Sequence, residues 1–193
     1  MGFVIRTASR SGLAAGAALL CIRGGLTLDL GIGRRVRPLG PIARDIAASP
    51  ETVFDVIAGP YLGKTPRAMA DKLRVLERGS DMVLAEHFTD LGHGLIATTL
   101  ETVRFERPNR VSFHLVRGPV PHVVETYELT PDGEGTSFVY SGELGVDLWA
   151  LGSWYGDLVA KSWNATVAAA IEEIAPEAER LAGRTRAGSS ADA

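Results

Sequence analysis

LIATTLETVRFE at residues 95–106, RPN at 107–109 and RVSFHLVR at 110–117 read together as two β-strands joined by a tight turn. The first run is long and rich in β-branched residues, which suit a pleated, half-buried surface. The same pattern continues in both directions. Upstream, LRVLE at 73–77 meets MVLAEHFT at 82–89 through Arg78-Gly79-Ser80-Asp81, and a loop with Gly92 and Gly94 leads into residue 95. Downstream, Gly118-Pro119-Val120-Pro121 turns into residues 122–130, and Asp132-Gly133-Glu134-Gly135 turns into residues 136–146. Successive hairpins of this kind build an antiparallel sheet.

Helical signals flank the hairpins. PIARDIAA at 41–48 alternates as a short strand and runs into Ser49-Pro50-Glu51. Serine caps, proline suits the first helical position, and glutamate suits the positive end of the helix dipole. Val53, Phe54, Val56 and Ile57 give this helix its apolar face, and Gly59-Pro60 is expected to stop it. Thr65-Pro66 repeats the start signal and predicts a second short helix to about Lys72. From about Leu148 the apolar period lengthens to that of a long helix. Leu151, Trp154, Tyr155, Leu158 and Ser162 share one face, and Val167, Ile171, Ile174, Ala178 and Leu181 continue the stripe. Pro176 is expected to kink or break that helix, and residues 184–193 are expected to form a disordered tail.

The chain has 193 residues, 46% hydrophobic and 22% charged, with a net charge of −3. That suits one sizeable core. Scattered basic residues, with Arg34, Arg35 and Arg37 as the one small cluster, argue against nucleic acid as a partner. The lone Cys21 excludes an internal disulfide, fits a cytoplasmic setting, and reads as a buried, inert thiol. GLAAGAALLCI at 12–22 follows Arg6 and Arg10 like a weak secretory leader, but no small-residue cleavage site follows it. It is also too short to span a bilayer. It reads as a helix that packs on the domain, with peripheral membrane contact the less favoured alternative.

Ile46-Ala-Ala-Ser-Pro-Glu-Thr-Val-Phe54 resembles the first strand and helix of the START-like helix-grip superfamily (SRPBCC), which includes polyketide cyclases and dehydrases and lipid-transport-like proteins. Residues 101–113, 124–129 and 135–140 resemble its later hairpins. The resemblance implies an α+β helix-grip fold. A curved antiparallel sheet of about seven strands would wrap a long C-terminal helix, with two short helices after the first strand. It divides the chain into an N-terminal apolar helix and connector at 1–40, a START-like ligand-binding domain at 41–183, and the tail at 184–193.

Strand pairing supplies candidate site residues. In the favoured register Leu115 lies opposite Glu125, with Arg117 opposite Val123. Through the Pro108 turn Val103 pairs Phe113 and Glu101 pairs Leu115; through the Gly133 turn Tyr127 pairs Tyr140 and Glu125 pairs Gly142. Glu101, Arg117, Glu125 and Tyr127 then point into an apolar concavity, Gly142 leaving room beside Glu125. Phe113, Leu115, Tyr140, Trp154, Tyr155 and Leu158 complete the expected ligand-binding set. Buried carboxyls are costly unless paired or protonated, so the arrangement implies an Arg117 network or a carboxyl with a raised pKa, Glu101 or Glu125, able to act as acid or base.

Other residues carry less. His87 and His93 lack the spacing and third ligand of a metal site, His114 falls on the polar face, and His122 borders a loop. Neither a nucleophile elbow nor a dinucleotide fingerprint is present, so no cofactor is implied. Trp149, Trp154, Tyr155 and Trp163 read mainly as core, with Trp154 and Tyr155 near the cavity mouth. Three functions remain open: a binder of a hydrophobic small molecule such as a lipid, polyketide or isoprenoid; a cyclase or dehydratase using a cavity carboxylate; and an interaction module resembling chaperone activators. An open cavity separates the first two from the third.

Overall fold

Alternating strands joined by short turns form a seven-stranded antiparallel sheet in the computed structural model, which describes residues 16–17, 19–63 and 69–191, with side chains to residue 185. The elements are β1 (Arg35–Ile46), α1 (Pro50–Leu62), β2 (Leu73–Arg78), β3 (Met82–Asp90), β4 (Ile96–Glu106), β5 (Arg110–Arg117), β6 (His122–Asp132), β7 (Gly135–Val146) and α2 (Trp149–Ala191). The strand order is β1-β7-β6-β5-β4-β3-β2. Irregularities in the β1–β7, β2–β3 and β4–β5 pairings bend the sheet. Gly40, at a positive φ of 73°, sits at the first of them, where a side chain would press on the Tyr140 carbonyl. The resulting α+β architecture is the expected helix grip.

The α1 start is as expected: the Ser49 hydroxyl accepts from the Thr52 amide at 3.4 Å, and Val53, Phe54, Ile57 and Ala58 are buried. The helix does not stop at Gly59-Pro60. It runs to Leu62, where the Gly63 amide closes onto the Gly59 carbonyl. A proline this near the end removes one donor and leaves the last turn possible. The extra turn carries Tyr61 inward. The second expected helix falls largely on residues 64–68, outside the described residues; Met69 to Lys72 is a turn.

Three further expectations are corrected. β1 begins at Arg35, so the sheet includes residues assigned to the connector. α2 continues through Pro176 and past Gly183 to Ala191, where a break and a disordered tail were expected. Val167, Ile171, Ala175 and Ala178 are its buried residues toward that end, each large apolar side chain contributing roughly 1.5–3 kcal/mol. The side-chain oxygen of Asn164 accepts from the Gly40 amide at 3.0 Å and pins α2 to β1.

The third correction concerns register. β4–β5 and β6–β7 pair as read from their turns, including Glu101 with Leu115 and Glu125 with Gly142. β5–β6 is shifted by two residues: Phe113, not Leu115, lies opposite Glu125. The ladder ends at His114 and Val124, and the loop beyond is wider than a hairpin because Val120 is buried. Thr27 also holds the Gly118 backbone through both its N–H and its carbonyl.

Candidate functional site

A cavity of about 520 Å³ lies between the concave face of the sheet and α2. Glu101, Glu125, His87, Tyr61, Phe113 and Tyr127 line its interior. Ile22, Leu91, Pro119, Tyr155 and Leu158 line its outer part. The aromatic rings form one packed set, with Phe113 and Tyr127 centroids 5.0 Å apart and Tyr61 and His87 5.8 Å apart.

The two carboxyls are held differently. Glu101 Oε1 accepts from the Thr99 hydroxyl at 2.5 Å. Its Oε2 lies 3.2 Å from His87 Nδ1, an ion-pair separation off the line of a well-aligned hydrogen bond. Burial pushes Glu101 up, but His87 and Thr99 outweigh it and hold the carboxyl below its ordinary value. Burial likewise opposes the charge on His87, and Glu101 reverses the balance, so the imidazole pKa is raised. Both shifts favour the charged pair, a carboxylate beside an imidazolium. His87 Nε2 lies 2.9 Å from the Tyr61 hydroxyl. When His87 is protonated, Nε2 donates there, which leaves the Tyr61 proton for a ligand.

Among the described residues, no cation is in hydrogen-bonding contact with Glu125. Its Oε2 accepts from Tyr140 at 2.8 Å and from Trp163 Nε1 at 2.7 Å. Burial, with the nearby Glu101 charge, pushes its pKa up to about 7 against those two hydrogen bonds and His87. Both bonds use Oε2, so Oε1 is the oxygen available to a ligand. Burial keeps the Tyr61, Tyr127 and Tyr140 phenols protonated.

The expected residues divide cleanly. Glu101, Phe113, Glu125, Tyr127, Tyr155 and Leu158 reach the cavity. Tyr140 stands behind Glu125, and Leu115 packs at the edge of the core without lining the cavity. Arg117 is not in the cavity. The pairing of Leu100 with Arg117 and Glu101 with Leu115 leaves Val116 as an extra residue in β5, which turns Arg117 to the outer face, 3.8 Å from Glu86. Trp154 is exposed and Trp149 half-exposed, so neither is core. Gly142 leaves no void beside Glu125: a Cβ there would lie 2.8 Å from the Glu125 Cβ.

Sequence reasoning missed His87, Tyr61 and Trp163. Pairing β3 with β4 would have found the first, because Ala85 opposes Glu101 and His87 opposes Thr99 on the same face. Cys21 is buried as expected, with its thiol pKa raised by burial. Among the described residues no group of three or more His, Cys, Asp or Glu is placed to hold a metal ion.

Residues 42–179 match the family model for polyketide cyclase / dehydrase and lipid transport. The chain belongs to that family. As a polyketide cyclase/dehydrase family member it shares its fold with a Streptomyces aromatase/cyclase, Zhui, at 17% identity and a TM-score of 0.61, over 76% of this chain and 94% of that one. A truncated norcoclaurine synthase from Thalictrum flavum is 17% identical with a TM-score of 0.55, over 77% and 92% of the two chains. A Thermus thermophilus protein is 20% identical with a TM-score of 0.58, over 76% and 99%. No curated protein matches the chain. Among the described residues, no helix is long and apolar enough to cross a membrane.

Proposed function

We propose that the protein takes a hydrophobic, polyketide-like molecule bearing carbonyl or hydroxyl groups into this cavity and moves protons on it, as a cyclase or dehydratase does. The observation that carries this reading is the placement of two carboxyls in one apolar cavity in different settings, Glu101 beside Thr99 and His87 and Glu125 held by Tyr140 and Trp163 with its pKa pushed up to about 7. Separated pKa values of this kind divide acid from base roles. Membership of the polyketide cyclase/dehydrase family supports the substrate class.

In this scheme Tyr61, backed by His87, donates to a ligand carbonyl and stabilises negative charge on its oxygen. Glu125, in its ionised fraction, takes a proton from the carbon beside that carbonyl. In an elimination the electron pair forms the new double bond, the C–O bond of a β-hydroxyl breaks, and the leaving oxygen takes the proton from Glu125 to depart as water. A cyclisation uses the first half: the carbon that lost its proton bonds to a second carbonyl carbon, whose π electrons move to its oxygen, and that oxygen takes the proton back from Glu125. The aromatic wall excludes water and holds the chain folded.

A second reading is a carrier of the same ligands. The two hydrogen bonds at Glu125 Oε2 favour it, because a purely anchoring carboxyl needs the same satisfaction. The open cavity of about 520 Å³ counts against the interaction-module reading. Native mass spectrometry of protein purified from its host, followed by turnover of the retained ligand with wild type and Glu125→Gln, tests the proposal. Retained ligand with turnover lost in the variant is expected. Equal turnover in both proteins would sink the catalytic role of Glu125. Failure to retain any apolar ligand, together with failure to bind the neutral probe N-phenyl-1-naphthylamine, would sink the cavity reading itself.

A further inference from the structure

The first turns of α2 expose what a helix ordinarily buries. Leu151, Trp154 and Leu158 share a face at helical spacing and are 71%, 70% and 57% exposed. The stripe ends at the cavity, since Leu158 lines its outer part with Tyr155 beside it. Beside α2 runs the segment of residues 26–32. Its anchors point inward: Thr27 to the Gly118 backbone, and the Leu30 and Gly31 amides to Asp147 Oδ2 at 2.7 and 2.9 Å. The Leu148 and Trp149 amides donate to the carbonyls of Ile32 and Gly33, which fixes the segment along the start of α2. Leu26, Leu28, Leu30 and Ile32 are left exposed. Leu19 and Leu20 are exposed just before Ile22, which lines the cavity.

An apolar face of this extent is unusual on a free protein surface and marks an interaction site. Its charges indicate what it meets. The carboxylates around it are matched: Asp147 and Asp29 by Arg34, and Asp157 by Arg37. Arg23 and Arg35 are exposed and have no ion-pair partner among the described residues. Leucines and tryptophans flanked by unmatched arginines are the pattern of a surface seated at the headgroup boundary of an anionic membrane. A second copy of this chain fits less well, because a two-fold contact would bury the arginines of both copies in one interface whose carboxylates are already matched.

We propose that the face formed by the start of α2 and residues 19–32 docks on an anionic lipid bilayer and seats the cavity mouth at the membrane surface. The contact is peripheral and is independent of what the cavity does to its ligand. The test is co-sedimentation of the full chain with vesicles of phosphatidylcholine containing phosphatidylglycerol, compared with vesicles of phosphatidylcholine alone. The wild type is expected to bind the anionic vesicles. Leu151→Ser with Trp154→Ser is expected to weaken binding by roughly tenfold or more, with an unchanged Tm because both side chains are already exposed. Arg23→Glu with Arg35→Glu is expected to remove the preference for anionic lipid. Absence of vesicle binding by the wild type, or full binding by the Leu151/Trp154 variant, would overturn the proposal. So would a wild-type dimer in sedimentation velocity that the same variant dissolves, which would assign the face to a second copy.

Discussion

Gly142 faces Glu125 across β6 and β7 so closely that a methyl group there would lie 2.8 Å from the Glu125 Cβ and 2.6 Å from the Val124 carbonyl oxygen. One of the two obstacles is backbone, which does not rotate away. Gly142→Ala is therefore expected to destabilise the fold by roughly 1–3 kcal/mol and to displace Glu125. Urea denaturation measures the first effect. An unchanged midpoint would mean that the two strands separate without cost.

Glu125 links stability to pH. Its carboxyl has a folded pKa of about 7 against an ordinary 4.5, so between those values the folded state binds more protons than the unfolded one. Stability from this group is complete below about pH 4.5 and is lost as pH rises through about 7, by roughly 2–3 kcal/mol. Glu125→Gln keeps the shape without the titration. The difference in unfolding free energy between variant and wild type should shift in favour of the variant from pH 5 to pH 8. A difference that stays constant would show that Glu125 titrates as an ordinary carboxyl.

His87 owes its raised pKa chiefly to Glu101. Burial alone disfavours the imidazolium, and the neighbouring carboxylate reverses that preference. In Glu101→Gln the reversal is gone, so His87 should titrate below its usual value when followed by NMR, and turnover that depends on the Tyr61 proton should fall with it. A His87 pKa that remains raised in this variant would separate the two residues.

Phe113 joins the cavity to the core, packing on Tyr127 and Tyr61. Phe113→Ala is expected to cost about 3–5 kcal/mol in chemical denaturation. A loss under about 1 kcal/mol would contradict its burial.

The N-terminal segment divides at Arg34. Residues 35–39 pair with β7, and Arg34 binds Asp147 at 2.8 Å. Deleting residues 1–40, which the sequence alone would permit, should abolish cooperative thermal unfolding, whereas deleting residues 1–18 should preserve it. Cooperative unfolding of the shorter chain would show that β1 is dispensable up to Pro41.

The features legible in the sequence were local ones. Tight turns at Pro108 and Gly133 set their registers directly, and so Glu101, Tyr127 and Glu125 could be placed on the inner face from spacing alone. The β5–β6 register was not legible, because the intervening loop is shaped by the burial of Val120 and by Thr27, distant in sequence. Arg117 was misplaced by a bulge, which inverts side-chain direction without any marker in composition. Tyr61 was lost because a glycine-proline pair suggested a helix end one turn early. Trp154 was read as interior from its type, whereas helix orientation against the sheet decides which stripe is covered.

The outward turn of Arg117 removes one cation from the cavity wall. The cations at its wall, His87 and Lys72, are already matched by Glu101 and Glu173. Among the described residues, an incoming carboxylate or phosphate would find no uncommitted positive charge there and would meet the negative end of Glu101 and, above neutrality, of Glu125. An incoming cation would have to shed its hydration among aromatic rings to reach them. The described wall is expected to favour electroneutral guests, and its discrimination against anions should sharpen as the medium becomes alkaline.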